Sequence, residues 1–364
     1  MGTFFLHIGM HKTGTTAAQQ LFAEQAELLR AQGLHYFSTR RPNHSFLLTT
    51  RYDPDRLDMT QPGVPAVFAS LDRARHEKLW RRWGRFLDDV GASDEDALVS
   101  AEAAGLLPED EIERLRDKVL TRFNRMIVLM LARPPLSYAQ SAAQQRLKNR
   151  VSLPDSELKP PLPQYRARLL GYVGALGNEN IRLEIFHHDR LVAGDPAQTL
   201  LKMIGKDRPE LAELRSPRAN ESISMTAAKL LSALQTAREH PERLSEIPEP
   251  VLSALRALSP FYRFADIEAG ALVGGFLPRR LVELIRTIPG DKFTLPLEIQ
   301  RAVPALAGRD AGWLSKQLGA NIEDFDVPVD DDAPTLADAT RMEPDEIEPI
   351  VAHLADAPEQ PGGA

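Results

Sequence analysis

Short apolar runs punctuate the first half of the chain: Phe4-Phe5-Leu6-His7-Ile8, Ala97-Leu98-Val99 and Met126-Ile127-Val128-Leu129-Met130-Leu131. Runs of this length, bounded by turns, predict strands buried on both faces of a parallel sheet, over 4–8, 96–100 and 124–132. Two more strands are expected at 34–37, after Gly33 as a helix C-cap, and at 181–186. Between them the apolar spacing turns helical. Leu21, Phe22, Leu28 and Leu29 predict a helix over 17–30. Leu79, Trp80, Trp83, Phe86 and Leu87 predict another over 71–90, its tryptophans serving the core. Residues 154–163 hold four prolines and read as a rigid connection before a helix over 164–176. Beyond 197 the pattern is helical at 200–204, 226–237, 251–258, 278–288 and 297–306. The expected fold is α/β: a central parallel β-sheet flanked by helices over about 1–190, then a mostly helical half over about 191–327 that elaborates the same domain.

From 328 to 364 the composition shifts to Asp, Glu, Pro and Ala, which predicts a mobile acidic tail with a short helix near 347–354. Residues 327–364 hold ten acids against one arginine, so the overall charge of −7 leaves about +2 on the remaining chain. A nearly neutral body with local basic clusters suits a small anionic ligand, and duplex nucleic acid is not expected as a partner. The 364 residues contain no cysteine, which removes disulfides, thiolate metal sites and thiol nucleophiles. No apolar run approaches the ~20 residues of a membrane span, and the N-terminal run is too short for a secretory signal. A soluble, cytoplasmic protein is expected.

The first strand breaks into Gly9-Met10-His11-Lys12-Thr13-Gly14-Thr15-Thr16 and then a helix. Backbone N–H groups at such a junction surround an anion, aided by the helix dipole, while Lys12 adds full charge and the threonines add hydroxyls. Gly9 and Gly14 have the G-x-x-x-x-G spacing of a P-loop, but the lysine lies inside the loop instead of after the second glycine. A nucleotide with a different anionic end from ATP or GTP is expected. A second cationic position follows the fourth strand. Arg133 stands at its end, and Ser141, eight residues on, falls within two turns of a helix opened by Pro134 or Pro135. An arginine fork with a serine hydroxyl suits a phosphate.

The Lys12-Thr13-Gly14-Thr15-Thr16 string resembles the 5′-phosphosulfate loop of sulfotransferases that use 3′-phosphoadenosine 5′-phosphosulfate (PAPS). Arg133 and Ser141 resemble the 3′-phosphate site of that family. Ser100-Ala101-Glu102, Asn220-Glu221-Ser222-Ile223-Ser224 and Gly312-Trp313-Leu314 with Gly319 and Phe325 resemble further stretches of bacterial members, so the resemblance covers 1–327. It departs at His11, where many members have proline. The resemblance implies a P-loop-like fold and transfer of a sulfuryl group from PAPS to a hydroxyl or amine, without a metal. It implies that Lys12 neutralises the leaving phosphate, that Thr13, Gly14, Thr15 and Thr16 hold the phosphosulfate, and that Arg133 and Ser141 hold the 3′-phosphate.

The base stays open between Glu102, at the third strand's end, and His44, in the loop after the second strand; His35 and His11 are further candidates. His187, His188 and His353 read as solvated. The acceptor implied for such a bacterial enzyme is a glycan or lipid precursor, its pocket shaped by loops over 40–63 and by the helical half. The alternatives are a P-loop small-molecule kinase and a non-catalytic nucleotide-binding protein. The oligomeric state is not legible in the sequence.

Overall fold

Apolar residues at 4–6, 97–99 and 126–132 lie side by side in one five-stranded sheet of β1 (Thr3–His7), β2 (Leu34–Tyr36), β3 (Asp96–Ser100), β4 (Arg125–Ala132) and β5 (Ile181–Ile185). Its order is β2-β3-β1-β4-β5 and every pairing is parallel. The computed structural model describes residues 1–356 apart from 11, 40–41, 53–72, 150, 207–208, 218–221, 259–263 and 271–275. Alternation along each strand divides the sheet into two apolar faces. Phe5, Leu98, Ile127, Leu129 and Leu131 pack against the helices Thr15–Glu24 and Pro196–Ile204. Phe4, on the other face, meets Trp83 and Phe123 with ring centroids 6.0 and 5.6 Å apart. Trp83 is a core residue, as its position in the helical pattern predicts.

Register fixes which residues reach the carboxyl edge. His7 lies opposite Ser100 of β3 and Leu129 of β4, and Phe186 continues the β5 pairing by donating to Ala132 O at 2.8 Å. The segments after β1, β3, β4 and β5 therefore leave one edge together, where open parallel sheets bind ligands.

The chain divides into two compact units. The first holds the sheet and comprises Met1–Pro135, Pro163–Ala219 and Ala307–Val327; the second comprises Leu136–Leu162, Asn220–Leu306 and Pro328–Ala364. The expected single domain with a boundary near 190 gives way to this discontinuous division, because residues 136–162 pack with the later helices. The core of the second unit joins Ala139, Ala143 and Leu153 to Leu230, Leu231, Leu234, Phe264 and Phe293.

Three expectations need correction. The helix predicted over 17–30 is broken at Gln25 into Thr15–Glu24 and Ala26–Ala31. The proline-rich connection contains the helix Leu153–Leu158, because Ser152 and Asp155 form a reciprocal capping box and Pro154 sits in the first turn, where its missing N–H costs nothing. The acidic segment, expected to be mobile, folds within the second unit as Leu336–Thr340 and Pro344–Ala355 and buries Ala339, Ile350 and Leu354. The acidic composition masks an apolar stripe at Ile347, Ile350, Val351 and Leu354, the i, i+3, i+4, i+7 spacing of a packed helix. Glu346 anchors that helix. Its carboxylate receives the Lys229 ammonium at 2.8 Å and the Thr226 hydroxyl at 3.1 Å. Burial raises its pKa, but Lys229, the Glu343 N–H and Thr226 together lower it below the usual carboxylate value.

Candidate active site

The turn after β1 is closed by its own side chains. Thr13 Oγ1 donates to Met10 O at 2.8 Å, Thr15 Oγ1 donates to the same carbonyl at 3.3 Å, and the two hydroxyl oxygens lie 3.2 Å apart. Both threonines are buried. These hydroxyls, expected to hold the phosphosulfate, are engaged in holding the loop, while Thr16 is exposed in the first helical turn. Gly14 takes φ 71° as the helix N-cap and has no side-chain cap. A Cβ on Gly14 would lie 2.6 Å from Pro196 Cγ, and one on Gly9 would lie 2.5 Å from Thr15 Oγ1 and 3.1 Å from Glu102 Cγ. Both glycines are thus required by close approach. Lys12 is also left-handed, at φ 68°. For a residue with a Cβ this costs about 1 kcal/mol, the kind of strain that persists where a side chain must be aimed.

Glu102 opens a 3₁₀ turn directly after β3, and Arg133 follows β4. The Arg133 guanidinium donates through Nη1 to Lys12 O at 2.6 Å and lies 5.4 Å over the Phe186 ring. The Tyr165 hydroxyl donates to Arg133 O, fixing the backbone that carries it. Burial pushes the Arg133 pKa down to about 10, against the pull of Asp326, so it stays charged at neutral pH. Burial, and then Arg133, lower the Lys12 pKa, while Glu102 raises it. Lys12, Arg133 and Glu102 are therefore one electrostatic cluster around the loop, with two cations and one carboxylate.

No family model, curated protein or solved structure matches the chain.

Behind the cluster lies a buried polar network that sequence reasoning missed. Gln19 Nε2 donates to Ser100 Oγ at 3.0 Å, and Ser100 Oγ lies 2.8 Å from His7 Nδ1. With Gln19 supplying a donor, the serine proton is directed to Nδ1, which puts the ring proton of His7 on Nε2. His7 is fully buried, and its Nε2 has no hydrogen-bond partner among the described residues. Burial drives its pKa down to about 4, against the opposing field of Glu102. The available signal was a histidine inside an apolar run and a glutamine on the apolar side of the next helix.

His44 belongs to the same structure, and its proposed role as base needs correction. It is 1% exposed, its Nδ1 accepts from Ser100 N at 3.1 Å, and its N–H donates to Ser100 O at 2.9 Å. Tyr36 and Phe37 pack on the ring, with centroids at 5.0 and 5.4 Å. Burial lowers its pKa to about 4, partly countered by the Phe37 backbone. A neutral imidazole enclosed by aromatics holds the end of β3. His35 is excluded by place: it pairs with Glu95, just before β3, at the amino edge. His11 lies outside the described residues, as do 53–63 of the expected acceptor loop and Asn220 and Glu221 of the Asn-x-Ser-x-Ser stretch.

Ser141 is on the helix Pro135–Asn149, in the part assigned to the second unit, and is half-buried. After β5, ligand atoms of His187, His188 and Asp189 come within 4.8 Å of one another; the first is half-buried against Phe325, the others exposed.

The two low histidine pKa values set a pH dependence. Below about pH 6.5 the unfolded chain binds protons that the native His7 and His44 refuse, so stability falls as pH drops from about 6.5 to about 4. Each contributes a loss of up to about 3 kcal/mol. Urea denaturation at pH 7 and pH 5 measures it, and His44→Asn should flatten the fall; a midpoint unchanged between these pH values would contradict both assignments.

Proposed function

We propose that the chain is a PAPS-dependent sulfotransferase with a P-loop-like nucleotide site at the carboxyl edge of its sheet. The observation that carries this reading is the joining of Arg133 to the Lys12 loop by a hydrogen bond, with Glu102 against the same loop. Both phosphates of PAPS hang from one ribose. A donor of that kind needs its cationic contacts close together, and a compact Lys12–Arg133 cluster suits it better than widely separated pockets would.

In the transfer, the acceptor oxygen or nitrogen attacks sulfur as the bond from sulfur to the bridging phosphate oxygen breaks in line, leaving adenosine 3′,5′-bisphosphate. Lys12 neutralises charge growing on that oxygen, and the N–H groups of the first helical turn hold the 5′-phosphate. Arg133 takes the 3′-phosphate. Glu102, half-exposed at the edge, accepts the acceptor's proton, since His44 is enclosed. The acceptor class is a glycan or lipid precursor.

Thermal unfolding with adenosine 3′,5′-bisphosphate tests this. At a hundred times Kd a native-state ligand stabilises by about 2.7 kcal/mol, so the midpoint should rise clearly, and Arg133→Ala should abolish the rise. Stabilisation by Mg-ATP, with none from the bisphosphate, would replace this reading with the kinase alternative.

A further inference from the structure

The second unit contains a cavity of about 340 Å³ lined by residues 222–224, 286–290 and 292, in the range of small-molecule pockets. Its walls are tied to each other. Ser224 bridges Lys292, Met225 N donates to Asp291 O at 2.7 Å, Phe293 N donates to Ile223 O at 3.0 Å, and Ser224 Oγ donates to Ile288 O at 2.7 Å. A cavity framed by backbone pairing keeps its shape without a ligand, which lowers the ordering cost of binding one.

Two cations, Arg286 and Lys292, line this frame. Neither makes an ion pair or a side-chain hydrogen bond among the described residues. Elsewhere in the same unit arginines find carboxylates: Arg243 with Glu246, Arg256 with Glu249 and Glu268, Arg279 with Glu283, and Arg301 with Asp331. The nearby carboxylate of Glu346, which reaches Thr226, is matched by Lys229. An acid-rich unit that leaves two cations unmatched in one concavity has a place for an external anion. The Ser222 and Thr287 hydroxyls line the same cavity and suit the hydroxyls of a polar ligand.

We propose that this cavity is a second anion site, which binds a phosphate or sulfate monoester of a small polyol through Arg286 and Lys292. The guanidinium fork meets two oxygens of the tetrahedral group and the ammonium a third. The site is separate from the Lys12 loop in its residues and does not depend on the sulfotransferase reading.

Calorimetric titration of the full chain with glucose 6-phosphate, with glucose as the uncharged control, tests it. Wild-type protein should bind the phosphate ester and not glucose, Arg286→Gln/Lys292→Gln should weaken binding about tenfold or more, and Lys12→Ala should leave it unchanged. All the substituted cavity side chains are exposed, so an unchanged melting temperature should accompany the loss, and Lys292→Glu alone should reproduce it. Equal affinity in the double variant, no binding by the wild type, or loss in Lys12→Ala with retention in the double variant would each overturn the proposal.

Discussion

Under the proposed sulfotransferase function, Lys12→Gly is expected to lower sulfuryl transfer by a factor of about 10²–10³, the usual consequence of removing one donor that meets developing charge, while stability stays within about 1 kcal/mol of wild type. The expectation of near-neutral stability comes from the backbone. Lys12 is left-handed at φ 68°, a conformation glycine adopts freely, so the replacement relieves strain and gives up a similar amount in unfolded-chain entropy. The carbonyl that accepts the Arg133 guanidinium belongs to the main chain and remains in place. The substitution thus removes the ammonium and little else. Transfer from radiolabelled PAPS, read beside urea denaturation, separates the two effects. Full activity in the glycine variant would remove Lys12 from the chemistry, and equal loss of activity and stability would make it a structural residue.

Ending the chain after Val327 is expected to lower the melting temperature by about 10 °C or more, at a few degrees per kcal/mol for a chain of this size. The segment removed buries Ala339, Ile350 and Leu354, and deleting a large buried aliphatic side chain costs about 2–5 kcal/mol. It also takes away the Glu346 carboxylate, the counter-charge of Lys229. Glu346→Gln isolates the ionic part. Because the folded Glu346 pKa lies below its unfolded value, its contribution is present above the unfolded pKa and is lost as pH falls through the folded one. The glutamine variant should therefore differ from wild type at pH 7 and converge with it in acid. A truncated chain that melts with the full one would restore the mobile tail.

The strands β1, β3 and β4 were legible because a residue buried on both faces must be apolar regardless of its neighbours, and each declares this over consecutive positions, while the edge strand β5 showed only alternating Ile181, Leu183 and Ile185. The loop was legible because few turns need two glycines around a lysine. Other features were hidden for identifiable reasons. The helix Tyr165–Leu176 starts at Gln164 with no side-chain cap of its own, and its first N–H groups are met by Asp310 at 2.7 and 2.8 Å, a residue about 145 positions away. Local sequence does not encode a cap supplied from that distance.

The roles of the polar residues divide in the same way. The sequence by itself determined an α/β chain with a parallel sheet and a glycine-bounded loop between β1 and its helix, since periodicity and glycine spacing are local properties. Tertiary structure alone decided that Thr13 and Thr15 tie the loop, that His44 is enclosed, that His7 and Gln19 meet at Ser100, and that the acidic segment is folded. Each of these depends on which distant atoms come to surround a polar group, and burial, unlike hydrophobic period, is fixed only when the chain has closed around it.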